Sequence, residues 1–268
     1  MANNYEPSSP DYRLYGFRAA DERVEDDFGS VAISDDTFVT LAEHHTGDGR
    51  DSYMLLYDGS AIWGIPGAPS YVSLHITRDL EQRTFCFDQG THPVVPLAQN
   101  CLIRRGCPPD AIELSNDEGP RAADALTAQI EARLKTNPDN RYEVLHHYTD
   151  DPGIFDFGIE TRTLTYDSHP GSASAPYRLF LEEVAKDMAS YTVREGVFTS
   201  AEAADHWIFQ RETPLPLAPP PVSTVNQRAE AARARSTVTA AGLAVPPAPV
   251  TAPRPSAADP SRPRRSAP

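Results

Sequence analysis

The sequence predicts an α+β fold: mainly antiparallel sheet with a few packing helices, followed by a disordered Pro/Ala/Arg-rich C-terminal tail. Three observations carry this. Short runs alternating polar and apolar residues between turn signals occupy 12–90 and 141–198. Helical periodicity occupies the stretch between them, 91–136. The composition then changes abruptly near Thr213. Strands in runs bracketed by helices point to α+β.

Taken in order, residues 1–11 are expected to form a flexible N-terminus and 12–213 the body. From 12 to 90 the pattern is strand and turn. "DTFVTLAEHH" and "SYMLLYDG" flank "TGDGRD", a hairpin signature. "SYVSLHI" and "TFCFD" read as further strands, and "WGIPGAP" between them as a loop, since Gly and Pro do not belong in strand interiors. A helix is expected from Thr91, with Val94, Leu97, Ala98, Cys101 and Leu102 on one face and Gly106 at its left-handed end. A second places Ala123, Leu126, Ile130 and Leu134 on a stripe, with Pro120 near its first turn. Four strands follow: "RYEVLHHYT", "ETRTLTYD", "PYRLFLEE" and "SYTVREGVF". The "TSAE" box at 199–202 opens a last helix whose apolar face is Ala201, Ala204, Trp207 and Ile208. No internal repeat is expected.

The segment 214–268 holds 13 of the 26 prolines, seven arginines, two acids and no aromatic residue. It cannot bury enough apolar surface to offset the entropy of ordering it, so a tail of polyproline character is expected. Its net charge is +5, against −14 for the whole chain, which leaves the body near −19. So acidic a body repels phosphate backbones, and nucleic-acid binding is open only to the basic tail. No apolar stretch reaches the length of a transmembrane helix, and the N-terminus lacks the pattern of a signal peptide. Three cysteines, 86, 101 and 107, make no disulfide framework. A cytoplasmic setting is expected.

The candidate chemistry is sparse. "RYEVLHHYTDD" carries two histidines and two aspartates, residue types that ligate metals and move protons. In a strand, though, His146 and His147 point to opposite faces. His146 then shares a row with Tyr142, Val144 and Tyr148, and "DDPG" reads as a turn. A metal site at His146 would need His44, His45 or His75 as partners. No C-x-x-C or H-E-x-x-H spacing occurs, so neither a metal nor any other cofactor is predicted. Cys107 follows Arg104 and Arg105, and cationic neighbours favour thiolate. A structural loop thiol is the simpler reading.

Two resemblances rest on particular stretches. "YRLYGFR" at 12–18 and "SYVSLHITRDLEQRTF" at 70–85 resemble the first two motifs of ADP-ribosyltransferases. That resemblance implies that Arg13 grips NAD and that Ser73 shapes a nicotinamide pocket. It departs where Ser73-Leu74-His75 replaces a small polar run, and no E-x-E follows at the family's distance. The run from "PVVPLAQNCLIRRGCPPDAI" through "YTVREGVFTSAEAA" is similar to a group of actinomycete proteins of uncharacterised activity, and implies an ordered body in a bacterial cytoplasm.

These readings favour a non-catalytic interaction or regulatory protein. Its acidic body would carry a basic tail, and a protein partner would be engaged through the tail or an apolar surface patch. The alternative is a small-molecule enzyme, either an NAD-using transferase resembling the ADP-ribosyltransferases or a metal-dependent hydrolase. That alternative requires a pocket joining histidines to carboxylates.

Overall fold

A computed structural model describes residues 10–33, 36–114, 119–151 and 158–219. The segment after Pro219, most of the N-terminus expected to be flexible, and the end of the "DDPG" turn lie outside the described residues.

The fold is α+β, with two five-stranded sheets. The first half opens with a two-residue strand β1 (Arg18–Ala19) and helix α1 (Glu22–Ala32). A strand-and-turn pattern was expected here, and α1 corrects it. The Asp21 side chain accepts a hydrogen bond from the Val24 amide, and Glu22 and Glu25 complement the helix dipole. Val24, Phe28 and Val31 pack on the sheet from one stripe. Strands β2 (Phe38–His45) and β3 (Asp51–Asp58) form the expected hairpin. The loop after β3 begins with a short helix α2 (Ala61–Gly64), and β4 (Tyr71–Asp79) and β5 (Thr84–His92) complete the meander. Helix α3 (Val95–Arg104) closes the half. Thr91 does not start it but pairs with Val72 inside the sheet.

The second half repeats this order: β6 (Arg121–Ala122), α4 (Ala125–Thr136), β7 (Tyr142–Asp150), β8 (Glu160–Asp167), β9 (Tyr177–Val184), β10 (Ser190–Phe198) and α5 (Ala201–Gln210). Asp124 caps α4, and Ser200 rather than Thr199 caps α5. The strand orders are β1-β5-β4-β3-β2 and β6-β10-β9-β8-β7, and β1 and β6 are each parallel to the last strand of their sheet.

The chain therefore contains an internal repeat that its sequence reading did not predict. The same four residues, Arg-Ala-Ala-Asp, stand at 18–21 and 121–124 and lead into α1 and α4. In each half the second strand slips register by one residue, at Leu41 and at Leu145. Tyr71 faces His92 as Tyr177 faces Phe198.

The side-chain clusters give the layering. One face of the first sheet (Met54, Leu56, Val72, Leu74, Ile76, Phe85) packs on α1. The other, with Tyr53 and Leu55, packs on Ala98 and Leu102 of α3. Phe180 and Val193 of the second sheet meet Ile130 and Leu134 of α4, joined by Val94 and Leu97 at the start of α3. Leu164, Leu179, Leu181 and Phe198 pack on Ala204, Trp207 and Ile208 of α5. The order is α1, first sheet, α3 beside α4, second sheet, α5. Leu126, expected on the buried stripe of its helix, is 37% exposed, and Thr127 is buried instead. Its hydroxyl accepts the Val193 amide.

Order continues past Thr213. The Val197 amide donates to the Pro216 carbonyl (2.9 Å) and the Ala218 amide to the Glu195 carbonyl (2.8 Å). Leu215 packs in the α5 cluster, directly over Gly196. A Cβ at Gly196 would lie 2.5 Å from the Leu215 side chain, so the close approach needs glycine. The compact unit ends at Ala218.

Candidate functional site

A cavity of about 310 Å³ lies between the two sheets, within the size range of small-molecule sites. Tyr57, Asp58, Ser70 and Tyr71 line it from the ends of β3 and β4. Val95 lines it from the start of α3 and Glu131 from α4. Thr149, Thr161, Glu182 and Tyr191 line it from the second sheet.

The repeat shows what is unusual here. Phe28 and Glu131 each stand seven residues after the aspartate that caps their helix. Phe85 pairs with Ala19 of β1, and Tyr191 pairs with Ala122 of β6. Ile76 and Glu182 each stand five residues into their strand, after Tyr71 and Tyr177. In the first half these three positions are core: Phe28 meets Phe85 edge to face at 5.1 Å between centroids, and Ile76 is fully buried beside them. In the second half the same positions hold Glu131, Glu182 and Tyr191, and all three line the cavity. An apolar cluster has become two carboxyls and a phenol. Burying polar groups costs free energy, so fold stability alone does not favour the exchange.

The Tyr191 hydroxyl donates a hydrogen bond to Glu131. Burial still raises Glu131 above the ordinary carboxylate range, and the Tyr191 bond opposes that rise. Among the described residues, the Glu182 carboxyl has no hydrogen-bond or ion-pair partner. Burial, then the nearby Glu131, pushes it up to about 8, so the acid is protonated at neutral pH. Glu182 keeps some exposure to the cavity it lines, and that exposure works against the rise. Tyr71 and Tyr191 are both shifted upward, first by burial, and so stay neutral. The Tyr57 and Tyr71 rings lie 5.8 Å apart and tilted. Asp58 is tied to the Ser60 hydroxyl at 2.7 Å. No His, Lys, Arg or Cys is among the described lining residues.

The loop that carries Ile62 into this lining crosses to the second sheet. The Gly67 carbonyl accepts the Thr149 amide, and the Tyr148 ring covers Gly67. A Cβ at Gly67 would lie 2.3 Å from that ring, and its φ of +79° suits glycine.

The residues singled out from the sequence fall elsewhere. The Arg13 guanidinium pairs with Asp11 (3.4 Å), while its carbonyl accepts from Arg78. The buried Ser73 hydroxyl bonds to His92 (2.9 Å), whose imidazole burial, then Arg105, pushes down to about 4. Among the described residues Arg13 and Ser73 share no partner, so the two positions implied by the transferase resemblance are not joined there. Cys107 is buried beside Leu102 and Ile112, and burial pushes its thiol up to about 11, which leaves little thiolate at neutral pH.

The histidines do not converge on His146 either, although His44 and His75 both stack on the Tyr53 ring. His44 stacks on Tyr53 at 6.2 Å, His45 bonds to Ser52 (2.6 Å), and His75 pairs with Asp51 (2.8 Å). His146 lies 6.3 Å from the Phe209 ring of α5. Among the described residues, no three His, Cys, Asp or Glu side chains come close enough to hold a metal ion. The bulge at Leu145 also breaks the row expected for His146. Tyr142 packs toward α4 while His146, past the bulge, packs toward α5.

Glu131, Glu182, Tyr57, Tyr71 and Tyr191 were not singled out from the sequence. One signal was present: Glu182 shares a strand face with Phe180, and Glu131 adjoins Ile130 on the helix stripe. Among the described residues, no helix is long and apolar enough to cross a membrane. No protein-family profile matches the chain, and no curated protein or solved structure is significantly similar to it.

Proposed function

We propose that the chain is a non-catalytic regulatory protein. Its body binds a small molecule in the cavity between the repeats, and its Pro/Ala/Arg-rich segment 214–268 engages a protein partner. The observation that carries the reading is the exchange of Phe28, Ile76 and Phe85 for Glu131, Glu182 and Tyr191 at matching positions, facing a cavity. A binding function explains why polar groups stand where the fold tolerates a fully apolar cluster. The enzyme reading required a pocket joining histidines to carboxylates. His44, His75 and His146 are not on this lining, which favours binding over catalysis.

The partner role of segment 214–268 rests on its composition alone, since prolines and arginines suit aromatic-lined grooves and acidic surfaces. The cavity reading is tested by thermal shift of the full chain against fractionated bacterial metabolite extract, with native mass spectrometry of the fraction that acts. Val184→Phe, which fills the cavity from β9, should abolish the response. If no fraction shifts the protein, or if Val184→Phe responds equally, the cavity is not the ligand site.

A further inference from the structure

We propose that the ligand of this cavity is a small organic cation, an ammonium group on an apolar body, with its charged head held by Glu182 and Glu131 among the rings of Tyr57, Tyr71 and Tyr191. This rests on the cavity reading above and names the ligand class.

The charge of the lining points one way. Asp58, Glu131, Asp151 and Glu182 line the cavity, and no basic side chain is among its described lining residues. An anion would find no counter-charge there. A neutral ligand would leave Glu182 protonated and gain no charge pairing from it. Tyrosine ring faces carry negative potential and attract ammonium groups, a recurring way of recognising such ligands. The rest of the lining, including Leu41, Ile62, Val95 and Ile159, is apolar and suits a hydrocarbon body. An adjoining groove that shares Glu131 and Tyr191 does hold cations. There Lys135 is engaged by Glu113 at 2.5 Å, and Arg121 lies on the same groove.

Glu182 is the residue built for the exchange. It enters from β9 with no hydrogen-bond partner among the described residues, so the side chain breaks none of their bonds to meet a ligand. Among the described lining residues, the titratable groups around it are Glu131 from α4, Tyr191 from β10, Tyr71 from β4, Tyr57 and Asp58 from β3, and Asp151. All are acids or phenols. With the site empty, this crowding and the burial keep Glu182 protonated at neutral pH. An arriving ammonium reverses the balance. The Glu182 O–H proton leaves to solvent, and the carboxylate that remains pairs with the cation. Binding of a cation near pH 7 should therefore release about one proton per site, by linkage.

The test is calorimetric titration of the full chain with three probe types of matched body: hexylammonium and phenethylammonium, hexanol, and hexanoate. Titrations in buffers of different ionisation enthalpy count the protons. We expect at least one ammonium probe to bind about tenfold or more tighter than hexanol, with proton release at pH 7 that fades by pH 9.5, and hexanoate not to bind. Glu182→Gln should lose both the preference and the proton release and fold with a thermal midpoint at pH 7 at or above the parent's. If that variant does not fold, the probe series on the unaltered protein decides alone. Hexanol binding as tightly as the ammonium probes, with Val184→Phe abolishing both, would overturn the cation class and leave the cavity reading standing. No binding of any probe, together with no response to metabolite extract, would overturn both.

Discussion

The Tyr191 hydroxyl donates to Glu131 at the point of the fold where, one repeat earlier, the rings of Phe28 and Phe85 meet edge to face. The backbone scaffold around the two pairs is the same, down to the parallel bridges Ala19–Phe85 and Ala122–Tyr191. The repeat thus supplies its own control. Whatever the polar pair is for, this arrangement of strands and helices does not need it.

Glu182 gives the first prediction. Its folded pKa, about 8, lies above the ordinary value of 4.5. Between those two pH values the folded state holds a proton that the unfolded chain has lost, so stability falls as pH rises through that window. Glu182→Gln removes the dependence. Chemical denaturation should show the variant near the parent at pH 4.5 and more stable at pH 8 by over ~1.4 kcal/mol, the worth of one pH unit. Equal stability at both pH values would place Glu182 in water.

Asp167 should behave in the opposite sense. Burial alone would raise its carboxyl, but hydrogen bonds from Arg141, Ser172 and the His169 amide outweigh that and hold it at about 2. The side chain is wholly buried, and Arg178 also approaches it at 3.3 Å. A depressed pKa contributes stability above the unfolded value near 3.8, lost as pH falls toward 2. About 2 kcal/mol should disappear over that range. Asp167→Asn should lose it already at pH 7, read as a lower urea midpoint.

Two truncations separate the docked segment from the rest of the C-terminus. Ending the chain after Ala218 should leave the thermal midpoint of the body unchanged within error. Ending it after Thr213 removes Leu215 from the α5 cluster and two backbone bonds to β10. That should cost about 1–3 kcal/mol, the scale for burying one leucine, a drop of several degrees. Identical midpoints for the two truncations would show that 214–218 contributes nothing.

Trp207 anchors the same corner. It packs 6.4 Å from the Phe198 ring and its indole N–H donates to the Thr213 carbonyl at 2.8 Å. Trp207→Ala should cost ~3–5 kcal/mol, as large aromatic deletions in cores do. Trp207→Phe, which keeps most of the apolar area and loses the bond, should cost less than half of that.

The sequence made the fold class legible because strand-forming runs between turn signals and helical stripes are local signals. β2 to β5 and β7 to β10 each fall on a run of strand formers between turn signals, and Trp207 and Ile208 mark α5. Helix α1 was missed because six of its eleven residues are Glu, Arg, Asp or Ser, which hid the Val24–Phe28–Val31 stripe. The row proposed for His146 failed because a bulge inverts alternation and leaves no mark in composition. The repeat was hidden by the exchanges that make it informative. Beyond Arg-Ala-Ala-Asp, matching positions such as Ile76 and Glu182 differ in chemistry, and only shared register aligns them. The cavity needed both sheets in place, since its two walls come from residues far apart in sequence.

The most direct test gives the second repeat the residues of the first, as the triple variant Glu131→Phe, Glu182→Ile and Tyr191→Phe. Thermal midpoints are measured with and without the ammonium probes and the active metabolite fraction. If the polar trio exists to bind a ligand, the variant folds with a midpoint at or above that of the parent, and no ligand moves it. A variant that fails to fold, or one that still responds as the parent does, would contradict the account.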